Sequence, residues 1–128
     1  EISYHLVLNA KKTFVNTNFK LSILEVPGAY EIPIGIKRNI KKFDGFIALG
    51  CVIKGQTPHF DLICNSIFSS ILNLSTNYNK PIGNGIITAL NLNQAKQRSI
   101  NINRKKPNKG SEAAKAVVSI LKNGPKKI

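Results

Sequence analysis

The chain has 128 residues, enough for one domain around a single core, and its 42% apolar content is that of an ordinary soluble globular protein. No apolar run approaches the roughly 18 residues needed to cross a bilayer, so a membrane is not an expected partner. The net charge of +13 invites a nucleic-acid reading, yet the basic stretch from Lys96 onward has no interleaved aromatic residue for bases to stack on.

Lys, Asn and Ile are abundant throughout, so a solvated basic surface accounts for the charge and no nucleic acid is expected. Residues Glu1–Lys12 read as a weak helix with Tyr4, Leu6, Val7 and Leu8 on its apolar side. His5 on that helix is expected to be exposed and without a role. No basic-then-apolar leader is visible. The chain opens on Glu and contains no Met, so its native start is expected to be missing or processed. Thr13–Asn18 is a polar connection. Phe19–Val26 then alternates, with Phe19, Leu21 and Ile23 on one face, and predicts a strand.

Pro27-Gly28-Ala29 breaks that strand, and Tyr30-Glu31-Ile32-Pro33 opens a helix continued by Ile34, Ile36 and Ile40. Proline suits a helix's first turn. Glu31 would favour a helix N-terminus electrostatically, the structural alternative to a functional role. Phe46–Ile53 is a near-continuous apolar run of the kind buried on both faces of a parallel sheet. Lys54–His59 is polar and punctuated by Gly55 and Pro58. Phe60, Ile63, Ile67, Ile71 and Leu74 then recur at helical spacing to about Asn77.

A third strand is predicted over Gly83–Ala89, a short helix over Asn91–Ile100, and a basic loop over Asn101–Pro107. The last helix, Ser111–Lys122, has Ala113, Ala114, Val117, Val118 and Leu121 as its apolar stripe, and Gly124-Pro125 stops it. Strands alternating with helices predict a three-layer α/β/α sandwich around a parallel sheet, without repeats or a second domain. With three predicted strands, the fold is expected to be short by one at its N-terminus. Cys51 and Cys64 are not spaced as CxxC and are expected to be reduced and packed, as suits a cytoplasmic protein.

Three strand ends lead into turn-rich loops, Pro27–Glu31, Lys54–His59 and Ala89–Asn93, and a parallel sheet puts all three on one edge. That edge gathers a carboxylate (Glu31), an imidazole (His59), backbone donors at a helix start (Gly55, Gln56, Thr57) and the guanidinium of Arg98. Such a set suits a phosphorylated, polyhydroxylated small molecule.

Four segments carry a resemblance to a known family: VPGAYEIP (Val26–Pro33), ALGCVIKGQTPHFD (Ala48–Asp61), PIGNGIITALNLNQAKQR (Pro81–Arg98) and NKGSEAA (Asn108–Ala114). In this order and spacing the chain resembles the 6,7-dimethyl-8-ribityllumazine synthases of riboflavin biosynthesis. The resemblance implies a flavodoxin-like sheet and a transferase that uses no metal or organic cofactor. Its reaction condenses 5-amino-6-(D-ribitylamino)uracil with 3,4-dihydroxy-2-butanone 4-phosphate, through an imine, loss of phosphate and ring closure.

The resemblance also assigns roles. His59 matches the proton-transfer histidine, and an imidazole suits a sequence that delivers and removes protons near neutral pH. Ala29, Tyr30 and Glu31 match the segment holding the ribityl chain and pyrimidine. Cys51, Val52 and Ile53 match the strand end that grips the pyrimidine through backbone, with Cys51 where Thr is frequent. Gln56 and Thr57 match the phosphate loop and Arg98 the phosphate-binding arginine. Gly55 and Lys109 are further candidates beside the site, while Lys54 acts only through the local field.

Family sites lie between neighbouring subunits of a homopentamer, free or within a 60-subunit shell, and the positions of Asn84, Arg98 and Lys109 come from the adjacent chain. Asn84 stands where the family usually has Phe, and the loop before Lys109 is longer and more basic than in most members. The family's first strand, and the aromatic residue after it that stacks on the pyrimidine, have no counterpart before Glu1. Two alternative readings stand beside this one: a relative that holds a lumazine or flavin without turnover, and a basic nucleic-acid-binding protein.

Overall fold

A computed structural model of the chain describes residues 1–56, 58–100 and 108–123. Its elements in chain order are α1 (Ile2–Thr13), a 3-10 turn (Ala29–Glu31), α2 (Ile32–Arg38), β1 (Phe46–Ile53), α3 (His59–Tyr78), β2 (Ile82–Ala89), α4 (Leu92–Ser99) and α5 (Lys109–Asn123). None of these helices is long and apolar enough to cross a membrane.

β1 and β2 pair in parallel, with Phe46 opposite Ile82 and Ile53 opposite Ala89. Parallel neighbours need a crossover, and α3 supplies it. The helices cover both faces, giving three layers. α2 and α3 pack on one face, where Ile32, Ile36, Ile40, Ala48, Ile67, Ile71 and Ile86 form the larger core. On the other face α1, α4 and α5 gather, with Leu6, Ile87, Ala89 and Ala95 as a second core. Each fully buried Leu or Ile contributes about 1.5–3 kcal/mol, so Ile86 and Ile87, adjacent in β2 and pointing to opposite faces, tie both layers to one strand. Close approach on the second face depends on missing side chains. A Cβ added at Gly83 would overlap the Ala113 carbonyl, and one at Gly110 would overlap the Leu6 carbonyl.

The sandwich matches the sequence expectation, and both ends of α1, α3, α4 and α5 fall within two residues of it. Pro33 sits in α2's first turn as its fixed φ favours. α3 stops at Asn79, whose φ of 54° is left-handed and whose N–H donates to the Ser75 carbonyl.

The strand expected over Phe19–Val26 is a correction. Those residues belong to no strand, and Leu21, Ile23 and Leu24 are exposed. Alternation specifies two faces, but a strand also needs a ladder partner. Among the described residues the sheet has two strands, and β1 already spends one edge on β2. The Phe46 N–H donates to the Pro81 carbonyl and the Lys54 N–H to the Ala89 carbonyl, both at 2.9 Å. By the period of two, Ile47, Leu49, Cys51 and Ile53 turn their backbone groups to the opposite edge. His5 departs less from expectation: it is half-buried, edge-to-face with Tyr4 at 5.4 Å. The expected stop at Gly124-Pro125 and the basic loop 101–107 lie outside the described residues.

Candidate active site

The C-terminal ends of β1 and β2 define the candidate edge. Cys51 points to the second core, Val52 into the larger core, and Ile53 is exposed. Side chains that diverge in this way cannot act as one surface, whereas their backbone can. Cys51 and Ile53 present N–H and C=O to the edge away from β2.

The 3-10 turn lies against this end of β1. A Cβ at Gly50 would meet Ile32 Cδ1 at 3.4 Å and Ala29 Cβ at 3.7 Å, ordinary contact distances. The turn also packs on α3, so Ala29, Tyr30 and Glu31 share the edge with Cys51–Ile53. Tyr30 is 68% exposed. Glu31 immediately precedes α2 but its carboxylate makes no capping hydrogen bond to that helix.

From Ile53 the chain turns through Lys54, Gly55 and Gln56, all exposed, with open space around Gly55. Thr57 lies outside the described residues. His59 is the first residue of α3 and is exposed, with Asp61 in the same turn. The first N–H groups of a helix have no partner within it, and the dipole favours an anion there.

Arg98, Lys109 and Asn84 are not brought to this group within one chain. Arg98 is exposed in the last turn of α4, and Lys109 begins α5; both helices cover the face opposite α2 and α3. Lys109 Nζ stands 3.6 Å from Glu112 Oε1, an exposed pairing of little energetic weight. Asn84 lies midway along β2, opposite Ala48. Its Oδ1 accepts from the Ile86 N–H at 3.1 Å. By register that N–H points outward from β2, so Asn84 occupies the sheet's other edge.

α4 is held at both ends by side chains outside the expected site set. Asn91 Oδ1 accepts from the Gln94 N–H at 2.9 Å, and Gln94 Oε1 accepts from the Leu90 N–H at 2.9 Å, a reciprocal cap. The pattern Asn-x-x-Gln before a helix was the available signal. At the other end Asn108 Nδ2 donates to the Ser99 carbonyl at 2.7 Å, and its Oδ1 accepts from the Ser111 N–H at 3.0 Å. No local signal points to the Ser99 contact, because the partners are nine residues apart.

Both cysteines are free. Burial raises the Cys51 thiol above its ordinary value; burial, then the Asp61 carboxylate, raises that of Cys64. Both are kept as packed thiols. Two hollows, of about 350 and 540 Å³, open near Phe19 and the residues before β1 and β2, at the opposite end of the sheet. None of the candidate residues lines them.

Comparison with known proteins gives one answer. The family model for 6,7-dimethyl-8-ribityllumazine synthase matches residues 1–123. A protein of that name from Campylobacter jejuni (strain RM1221) is 39% identical over 125 residues, covering 94% of this chain and 79% of the relative. The one from Buchnera aphidicola subsp. Schizaphis graminum is 43% identical over 104 residues, covering 80% of this chain and 64% of the relative. A third, from Limosilactobacillus reuteri, is 40% identical over 103 residues, 79% of this chain and 66% of the relative.

Proposed function

The chain belongs to the 6,7-dimethyl-8-ribityllumazine synthase family, a family of transferases, and from that premise we propose how its residues divide the reaction. The enzyme condenses 5-amino-6-(D-ribitylamino)uracil with 3,4-dihydroxy-2-butanone 4-phosphate, releasing phosphate and water. The backbone of Cys51 and Ile53 holds the pyrimidine edge, and Glu31 accepts hydrogen bonds from the ribityl hydroxyls, with Ala29 and Tyr30 forming the wall. Gln56, Thr57 and the start of α3 receive the phosphate. His59 moves protons as the imine forms, phosphate leaves and the ring closes. Arg98 clamps the phosphate, as a planar fork suits, with Lys109 adding positive field.

The observation that carries this reading is the division of the site across the sheet. Ala29–Glu31, Cys51–Ile53 and the start of α3 share one edge, while Arg98 and Lys109 lie beyond the opposite face and Asn84 on the far edge of β2. One chain therefore holds two partial sites that a neighbouring copy completes. Exposed apolar groups support self-association: Leu62 and Leu72 on α3 are 63% and 64% exposed. α3 also carries no Lys or Arg in a chain that has 19, so copies could meet there without cation repulsion. We assign a homopentamer of single-domain subunits acting in the cytoplasm.

The test is growth of lumazine absorbance from the two substrates. His59→Ala should slow turnover by roughly 10²-fold, the lower end for a lost acid–base group. Arg98→Ala should raise KM for the phosphorylated substrate. Tight product binding without turnover in the unaltered protein would instead establish a ligand-holding relative.

A further inference from the structure

We propose that Asn108 is a positioning residue for anion binding, holding Arg98 and Lys109 in fixed relation through one side-chain amide. The proposal rests on the phosphate-binding reading of Arg98.

α4 has only eight residues, too few to be stable without tertiary support. Its inner face is Ala95 and Ser99, both 0% exposed. Ser99 Oγ donates back to the Ala95 carbonyl at 2.9 Å. The last carbonyls of a helix find no partner within it, and a carbonyl buried here cannot turn to water. Asn108 Nδ2 supplies the donor at 2.7 Å. The same side chain's Oδ1 accepts from the Ser111 N–H at 3.0 Å, and the Asn108 carbonyl accepts from the Glu112 N–H at 3.0 Å. Asn108 is thus an N-cap for α5 and a terminal partner for α4 at once. Only 9% exposed, it has its amide orientation fixed by one acceptor and one donor.

Arg98 precedes the clamped Ser99, and Lys109 follows the clamping Asn108. The clamp joins the two ends of segment 101–107 directly, so the length of that segment does not set where Arg98 lies relative to Lys109. A bidentate contact to phosphate is sensitive to such placement, since displacement of about 1 Å costs up to a hundredfold in well-oriented sites. Asn108 touches no reacting atom; it acts through Arg98.

The decisive variant is Asn108→Ser in the full, assembled protein. Serine keeps an acceptor for the Ser111 N–H, so the cap survives, but it is too short to reach the Ser99 carbonyl. KM for the phosphorylated butanone should rise about tenfold, with weaker inhibition by inorganic phosphate, while kcat and KM for the pyrimidine stay near their original values. Combined with Arg98→Ala, it should add nothing further to that KM, because both changes remove one contact. Should the serine variant not fold, Asn108→Thr also keeps a cap acceptor and is too short to reach the Ser99 carbonyl, and it is scored the same way. A raised KM in Arg98→Ala with an unchanged one in the Asn108 variants overturns the clamp alone. Equal rises for both substrates overturn it as well. An unchanged KM in Arg98→Ala removes the phosphate reading, and the clamp with it.

Discussion

Two kinds of buried polar group decide how individual residues behave in this protein. Asn9, Ser99 and Asn108 are the buried polar side chains among the described residues; Ser99 Oγ donates to the Ala95 carbonyl, and Asn108 donates to the terminal Ser99 carbonyl that α4 itself leaves without a donor. The thiols are different: they have little to bond and are simply desolvated. Cys51 is raised by burial, and Cys64 by burial and then by Asp61, from an ordinary value of 9.0. An acid raised on folding is protonated longer in the native state than in the unfolded one. Below the unfolded value the thiols are neutral in both states and their contribution is intact. As pH rises past that value and through the folded ones, the unfolded chain loses protons first and stability falls. Urea midpoints should therefore decline from pH 8 to pH 10. Replacing both cysteines with alanine should flatten that decline even while lowering stability at pH 8. An unchanged slope would place the alkaline sensitivity elsewhere.

Elements divide by whether their cause is local. β1 was legible because a near-continuous apolar run such as Phe46–Ile53 fits a strand covered on both faces of a parallel sheet. α3 and α5 were legible because Ile63, Ile67, Ile71 and Ala113, Ala114, Val117 repeat at 3.6 residues. Phe19–Val26 was not, since a ladder partner is a long-range property that alternation cannot report. The candidate site divides likewise. The strand-to-helix loop with His59 follows from local punctuation, while the Asn108–Ser99 tie depends on residues that only the fold makes neighbours. The open edge of β1 has a measurable signature. Amide exchange in the chain as described should be slow at Ala48, Gly50 and Val52, whose N–H groups face β2, and fast at Ile47, Leu49, Cys51 and Ile53. Protection of that second set would show a further strand on this edge. It would also explain why Phe19–Val26 has the pattern of a strand without a place in the sheet.

At the scale of the whole molecule, the sheet separates the proposed site groups instead of gathering them. A parallel sheet covered on both faces puts Glu31 and His59 with one helical layer and Arg98 and Lys109 with the other. A monomer would need its own Arg98 to reach across the sheet, whereas a neighbour of the same sequence can present it without any rearrangement. Closed rings of identical subunits produce such head-to-tail contacts, every site being made of one chain's first face and the next chain's second. The arrangement predicts complementation between two disabled variants. His59→Ala alone and Arg98→Ala alone should each be impaired at limiting phosphorylated substrate. Unfolded together in equal amounts and reassembled, they should regain about a quarter of the original activity, because random placement gives a quarter of the sites both intact residues. Simple mixing without reassembly should regain little if subunits do not exchange. If His59 and Arg98 served the same site within one chain, every chain would carry one lesion and reassembly would recover nothing.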